Sequence, residues 1–219
     1  ANRCTCATGD RSQCGCMDCI WHQPNVNAMS RFNSSYYQRF YGKDGAHDAE
    51  RIHHLATAVH HISAWWGLSI SSVIDIGAGM GMWRDWYRTN HPDVSLRSID
   101  VSEHACDTWG HECRNIAEWK PRGKYDLVIC HSVLQYLSNE ECEDAIANIA
   151  AATRYVLYLE LPTKWDFENV VDETGTDLQV YQRSAVWYRK RLREHFRQIG
   201  AGLWTPLNGL PMYELEASR

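Results

Sequence analysis

No run of apolar residues in this chain approaches the ~20 that a helix needs to cross a bilayer, so a membrane span is not expected. The N-terminus lacks the layout of a signal peptide, being polar and dense in cysteine. Basic residues are outnumbered, 22 Lys and Arg against 27 Asp and Glu, and the formal charge of −5 opposes a nucleic-acid partner. Internal repeats and low-complexity tracts are absent, which removes the solenoid architectures. What is present is a chain of 219 residues, 44% hydrophobic, with room for one catalytic domain and a small appendage. Its ten tryptophans and eleven tyrosines are many for that length and suit the lining of a ligand cavity.

The most informative stretch is Val73-Ile-Asp-Ile-Gly-Ala-Gly-Met-Gly-Met82. Val73, Ile74 and Ile76 supply a strand buried on both faces. Gly77, Gly79 and Gly81 then let the backbone turn sharply and approach a ligand. The run from Met82 to Arg88 starts a helix whose free N–H groups are expected to face that ligand. A dinucleotide fingerprint, G-x-G-x-x-G, would need glycine at Met82, and Asp75 inside the strand is foreign to it.

The D-x-G-x-G-x-G form resembles motif I of the class I methyltransferases that use S-adenosylmethionine, and later segments agree. Leu96-Arg-Ser-Ile-Asp100 closes on an acidic residue where the family binds the ribose hydroxyls. Arg114-Asn-Ile-Ala-Glu-Trp-Lys-Pro121 resembles the adenine loop, with Asn115 near the amino group and Ile116 against the ring; the family often has Asp at the first of these. Tyr125-Asp-Leu-Val-Ile-Cys-His-Ser-Val-Leu-Gln-Tyr136 resembles the fourth strand and the loop after it. The resemblance covers residues 68–219. With the aromatic residues considered below, it gives as expected cofactor contacts Asp75, Gly77, Ala78, Gly79, Trp83, Asp100, Val101, Asn115, Ile116, His131 and Tyr37. Unpaired thiols and an intracellular cofactor make the cytoplasm the simplest location.

Alternation of strands and helices after Val73 predicts an α/β, Rossmann-like sheet, mostly parallel, with helices on both faces. Strands are expected at 72–76, 95–100, about 111–114, 126–130 and 154–160. Helices are expected near 81–89, 103–109, 139–152 and 184–198, with Asn139 as a cap. Strands at 200–204 and 212–217, joined by Pro206-Leu-Asn-Gly-Leu-Pro211, complete seven as an antiparallel hairpin. Ahead of this catalytic domain, residues 25–67 read as a helical cap or lid. Its helix over 46–66 aligns Ile52, Leu55, Ala56, Val59, Ile62 and Trp66 on one face.

Residues 1–24 form a separate block with five of the nine cysteines, Cys4, Cys6, Cys14, Cys16 and Cys19, and His22 close behind. Soft thiolates at this density suit a tetrahedral, structural Zn²⁺ site, and metal binding would supply the folding free energy of so polar a segment. Four ligands suffice, so one cysteine is spare. Disulfides in an exported protein, a reducible tail or an iron–sulfur cluster would use the same residues. His53, His54, His60 and His61 flank the apolar stripe of the helix over 46–66 and read as its polar side rather than a metal site.

Methyl transfer needs chiefly an aligned nucleophile, so positioning is the expected catalytic effect. His131, directly after the fourth strand, is the candidate acid–base residue, since imidazole titrates near neutrality. Tyr36, Tyr37, Tyr41 and Trp83 offer ring faces to a sulfonium. His131-Ser-Val-Leu134 replaces the Asn/Asp-Pro-Pro-Tyr/Phe of many amino-group methylases, which favours a small-molecule acceptor. Two alternatives stand beside it: an RNA methyltransferase with an N-terminal zinc module, and a non-catalytic binding or scaffold protein.

Overall fold

The computed structural model describes residues 31–41 and 48–217. Cys4, Cys6, Cys14, Cys16 and Cys19, with the zinc site expected of them, lie outside those residues. Among the described residues no helix is long and apolar enough to cross a membrane, and no three metal-ligating side chains gather.

Two helices lead the fold: α1 (Ser34–Phe40) and α2 (Ala49–Trp65). There follow β1 (Ser72–Ile76), α3 (Met82–Asn90), β2 (Ser95–Asp100), α4 (Glu103–Trp109) and β3 (Glu112–Cys113). Then come β4 (Tyr125–His131), α5 (Asn139–Ala152), β5 (Thr153–Glu160), α6 (Lys164–Asn169), α7 (Ala185–Leu192), β6 (Phe196–Gly200) and β7 (Leu203–Pro206). The seven strands form one sheet in the order β3-β2-β1-β4-β5-β7-β6. The first five are parallel; β7 runs antiparallel to both β5 and β6.

Strand parity splits the core into two layers. Ile74, Ile76, Val128, Cys130 and Leu157 face α5 and α7, meeting Cys142, Ile146, Ile149 and Leu192. Val73, Leu127, Ile129 and Tyr158 face the other way, onto Ile52, Ala56 and Val59 of α2 and Trp83, Trp86 and Tyr87 of α3. The predicted apolar stripe of α2 is therefore part of the sheet's own core, and α1 alone stands over the rim. At the outer side of α2, His60 stacks on His91 with ring centroids 3.7 Å apart.

Three local expectations are corrected. The helix at 139–152 is capped by Ser138, not Asn139: Ser138 Oγ accepts from Glu141 N–H at 3.3 Å and Glu141 Oε2 accepts from Ser138 N–H at 2.8 Å. This reciprocal capping box satisfies two N–H groups that Asn139 would leave open. The helix expected over 184–198 ends at Leu192, and Phe196–Gly200 is a strand. Phe196 and Ile199 join opposite core layers, which a strand allows and one helix face does not. The closing hairpin is accordingly earlier than expected, β6 and β7 meeting through Ala201 and Gly202, while Met212–Ala217 forms turns instead of a strand.

Candidate functional site

At the carboxyl ends of β1, β2 and β4 lies a cavity of about 570 Å³, inside the ~300–1,000 Å³ of small-molecule sites and at the rim where parallel sheets bind ligands. One wall is the glycine turn. Gly77 adopts φ +67°, and a Cβ there would collide with Val133 Cγ2. Gly79, at φ +56°, lies under the Tyr41 hydroxyl, 3.4 Å from where its own Cβ would stand. Glycine is thus required both for the turn and for the space beside it.

The turn's donors point inward. Gly77 N–H and Ala78 N–H both donate to Ile99 O, at 2.9 and 3.0 Å. Gly79 N–H donates to Asp100 Oδ2 at 2.8 Å, and Gly79 O accepts from His111 Nε2 at 3.0 Å. A carbonyl only accepts, so Nε2 carries the proton; burial lowers the His111 pKa and keeps the ring neutral. His111 Nδ1 then accepts from the Ser98 hydroxyl at 2.9 Å. What the turn offers a ligand is close backbone surface, its own N–H groups at Gly77, Ala78 and Gly79 being engaged within the protein.

Asp100 is the anchor of the second wall. Its Oδ1 accepts from Ser102 N–H at 2.8 Å, so both oxygens are fixed by backbone. A carboxylate has roughly four lone-pair sites, which leaves acceptor capacity on the cavity side. Burial pushes the Asp100 pKa up, and these N–H bonds oppose the rise. Val101 continues this wall, and Asn115 and Ile116 close its far end. Asn115 Oδ1 accepts from Ala117 N–H at 3.0 Å, fixing the loop after β3.

The remaining wall is aromatic. Tyr36, Tyr37 and Tyr41 descend from α1, and Phe32 precedes it. Phe32 meets Tyr36 and Tyr136 edge to face, with centroids 4.9 and 5.0 Å apart, and the Tyr36 and Tyr136 hydroxyls lie 2.8 Å from each other. Burial raises the pKa of Tyr36, Tyr37 and Tyr41, so their hydroxyls stay protonated. Across the mouth runs the segment Leu178–Tyr181, tied to the N-terminal side by Arg31, which donates to Asp177 Oδ2 at 2.7 Å and to Gln179 O.

Of the residues expected at the cofactor, Gly77, Gly79, Asp100, Val101, Asn115, Ile116 and Tyr37 meet in this one cavity. Asp75, Ala78, Trp83 and His131 are outside its lining. Ile76 and Cys130 face the α5 side, so Asp75 and His131 face α3, Asp75 one residue short of the strand's end. Asp75 is 2% exposed, its Oδ2 has no protein partner, and burial, with Asp100 nearby, pushes its pKa up to about 7. His131 Nδ1 accepts from Trp83 Nε1–H at 3.3 Å, and Nε2 lies 3.7 Å from Glu160 Oε1. The indole only donates, so the imidazole lone pair is engaged and the ring proton sits on Nε2. Trp83 itself packs against Tyr158, centroids 5.3 Å apart.

Sequence reasoning did not find His111, Arg31, Tyr136 or the Leu178–Tyr181 segment. Only Tyr136 had a local signal, being in the loop after β4 at the ligand-binding rim; the others reach the cavity from remote segments.

Comparison with known proteins bears on the family and the fold. The family model described as a methyltransferase domain matches residues 32–204. Trans-aconitate 2-methyltransferase of Klebsiella pneumoniae (strain 342) is 25% identical over 160 residues, which are 67% of this chain. The chain spans 59% of the length of that relative. The crystal structure of the plantazolicin methyltransferase BpumL, with a pentazolic desmethylPZN analogue and SAH, is similar at TM-score 0.56 and 16% identity, over 75% of this chain and 68% of that one. A S-adenosylmethionine-dependent methyltransferase from Clostridium acetobutylicum ATCC 824 gives TM-score 0.55 at 12% identity, over 84% and 94%. At these identities the structural likeness speaks for the fold.

Proposed function

The chain belongs to the methyltransferase-domain family, and on that premise we propose that it transfers a methyl group from S-adenosylmethionine to a small-molecule acceptor. The observation that carries this reading is Asp100: a buried carboxylate held by two backbone N–H groups on the wall of a cavity that also contains Gly77 and Ile116. The residues fit the cofactor. Asp100 would accept the ribose hydroxyls, Asn115 and Ile116 would hold the adenine, and the backbone at Gly77 and Gly79, which line the cavity, would approach the amino-acid half. Asp75, behind the turn, would act on that half through the loop, its unpartnered oxygen favouring nearby positive charge.

The cofactor, when bound, supplies an already activated methyl group. The protein's part is to align the acceptor and exclude water, an effect worth up to about 7–11 kcal/mol in well-oriented reactions. For His131 to take a proton it must first release the Trp83 indole, so its reading as acid–base residue gives way here to positioning: it anchors Trp83, while the Tyr158 hydroxyl donates to Glu160 at the rim. The protonated tyrosines of α1 provide hydroxyls and ring faces rather than a base.

For the block 1–24 we retain a structural zinc site, supported by cysteine density alone, and a cytoplasmic setting in which such thiols stay reduced. Metal analysis of reduced, unchelated protein should find about one zinc per chain. The methyl-transfer reading is tested by titrating S-adenosylhomocysteine into the purified protein in a calorimeter. Saturable binding at one site is expected; no binding refutes it.

A further inference from the structure

Two arginines, Arg31 and Arg114, line the cavity at opposite ends, and that bears on the acceptor. Arg31, on the mouth, donates to Asp177 and to Gln179 O, and its guanidinium also lies over the Tyr136 and Phe32 rings at 5.1 and 5.5 Å. Arg114 stands at the opposite end, beside Asn115, where its charge acts on Glu112. Arg183, beneath the cavity floor, is buried and donates to Leu134 O, Leu137 O, Asn139 and Tyr188. The carboxylates Asp100 and Glu141 are on the wall as well. Among the described residues the aromatic side of the cavity therefore holds no cation without a partner for an anionic acceptor.

A carboxylate placed there would lose its water without gaining a counter-ion, and several carboxylates would multiply the cost. A flat, uncharged ring system meets the opposite conditions. Phe32, Tyr36 and Tyr136 form an edge-to-face cluster, and Leu178, Val180 and Tyr181 extend it towards solvent. Leu178 and Tyr181 remain exposed, as residues at the entrance of an apolar site do. The Tyr36 and Tyr136 hydroxyls are joined by one hydrogen bond, and their rings belong to the cavity lining. The Ser132 and Tyr41 side chains stay within the lining as polar contacts near the glycine turn.

Within the methyl-transfer reading, on which this rests, we propose that the acceptor is an uncharged aromatic molecule bearing a hydroxyl or amine. It is not a polycarboxylate of the kind named in the Klebsiella relative.

The test uses the full chain saturated with S-adenosylhomocysteine and compares two probes by calorimetry: 2-naphthol and trans-aconitate. Expected is 2-naphthol binding at least about tenfold tighter than trans-aconitate. Tyr181→Ala should weaken the naphthol about fivefold or more while leaving S-adenosylhomocysteine within about twofold. Trans-aconitate binding as tightly as the naphthol, or 2-naphthol failing to bind, overturns the proposal. So does a base-labile methyl ester formed from trans-aconitate and labelled S-adenosylmethionine. Failure of S-adenosylhomocysteine itself to bind, seen in the first titration, overturns the methyl-transfer reading and this proposal with it.

Discussion

The two faces of the sheet's carboxyl rim carry equally suggestive residues and use them differently. On the α5 side, Ile76 and the turn at Gly77 open onto the cavity, with Ile116 beside them, and Asp100, of the same parity as Asp75, reaches it from the last position of β2. On the α3 side, Asp75, Trp83 and His131 are packed into a second core layer with Tyr158. Neighbours in sequence, such as Asp75 and Ile76, are divided by the pleat of one strand. Residue chemistry alone thus overstates a site, and parity alone does not decide it: Asp75 and Asp100 have the same parity, yet only Asp100, at the end of its strand, lines the cavity.

If the division holds, the largest effect of a single change belongs to the packed face and appears in stability. Trp83→Ala should cost about 3–5 kcal/mol, the usual range for deleting a buried indole, read as a lower midpoint in urea unfolding. Trp83→Phe keeps most of the packing and should leave S-adenosylhomocysteine affinity within about twofold. A loss of tenfold or more in that variant would return Trp83 to the cofactor site and break the comparison.

Cavity-face changes should appear in binding instead. Asp100→Ala removes the acceptor of Gly79 N–H and Ser102 N–H together with the ligand contact, and should weaken S-adenosylhomocysteine by about 1–3 kcal/mol in calorimetry. Unchanged affinity would remove the ribose assignment. Gly77→Ala forces a side chain into φ +67° and against Val133. It should cost about 1–3 kcal/mol through strain, read both as a lower melting temperature and as weaker cofactor binding.

Much of this was legible in the sequence for physical reasons. Val73–Ile76 and Leu127–Cys130 read as buried strands because apolar runs that short fit a sheet covered on both faces. The glycine spacing announced the turn, and Asp100 stood at a strand end where ligands bind. Less legible were features set by distant pairing. Phe196 sits four residues after Leu192, as a helix stripe requires, yet pairing with β7 makes it a strand. Arg31 finds Asp177 across 146 positions, and His111 reaches Gly79 O across 32; no local pattern encodes either. The parity of Asp75 and His131 was readable in principle: alternation from Ile76 and Cys130 already put both on the far face.

The smallest predicted effect is a pH dependence in which the packed face is divided against itself. Burial pushes Asp75 up to about 7, so the folded chain binds a proton more readily than the unfolded one, whose carboxyl titrates near ~3.9. Its contribution is fully present below the unfolded value and is lost as pH rises towards 7. His60 runs oppositely: burial, with His91 and His61 close by, lowers it to about 4. Below its unfolded value near ~6.5 the unfolded chain takes the proton more readily, so stability falls as pH drops towards 4. The two slopes oppose each other between about 4 and 6.5. Asp75→Asn removes only the first, so its unfolding free energy should rise with pH across that window relative to wild type, leaving the histidine slope exposed. Parallel profiles for the two proteins, measured by urea unfolding at several pH values, would mean that Asp75 is not held protonated behind the glycine turn.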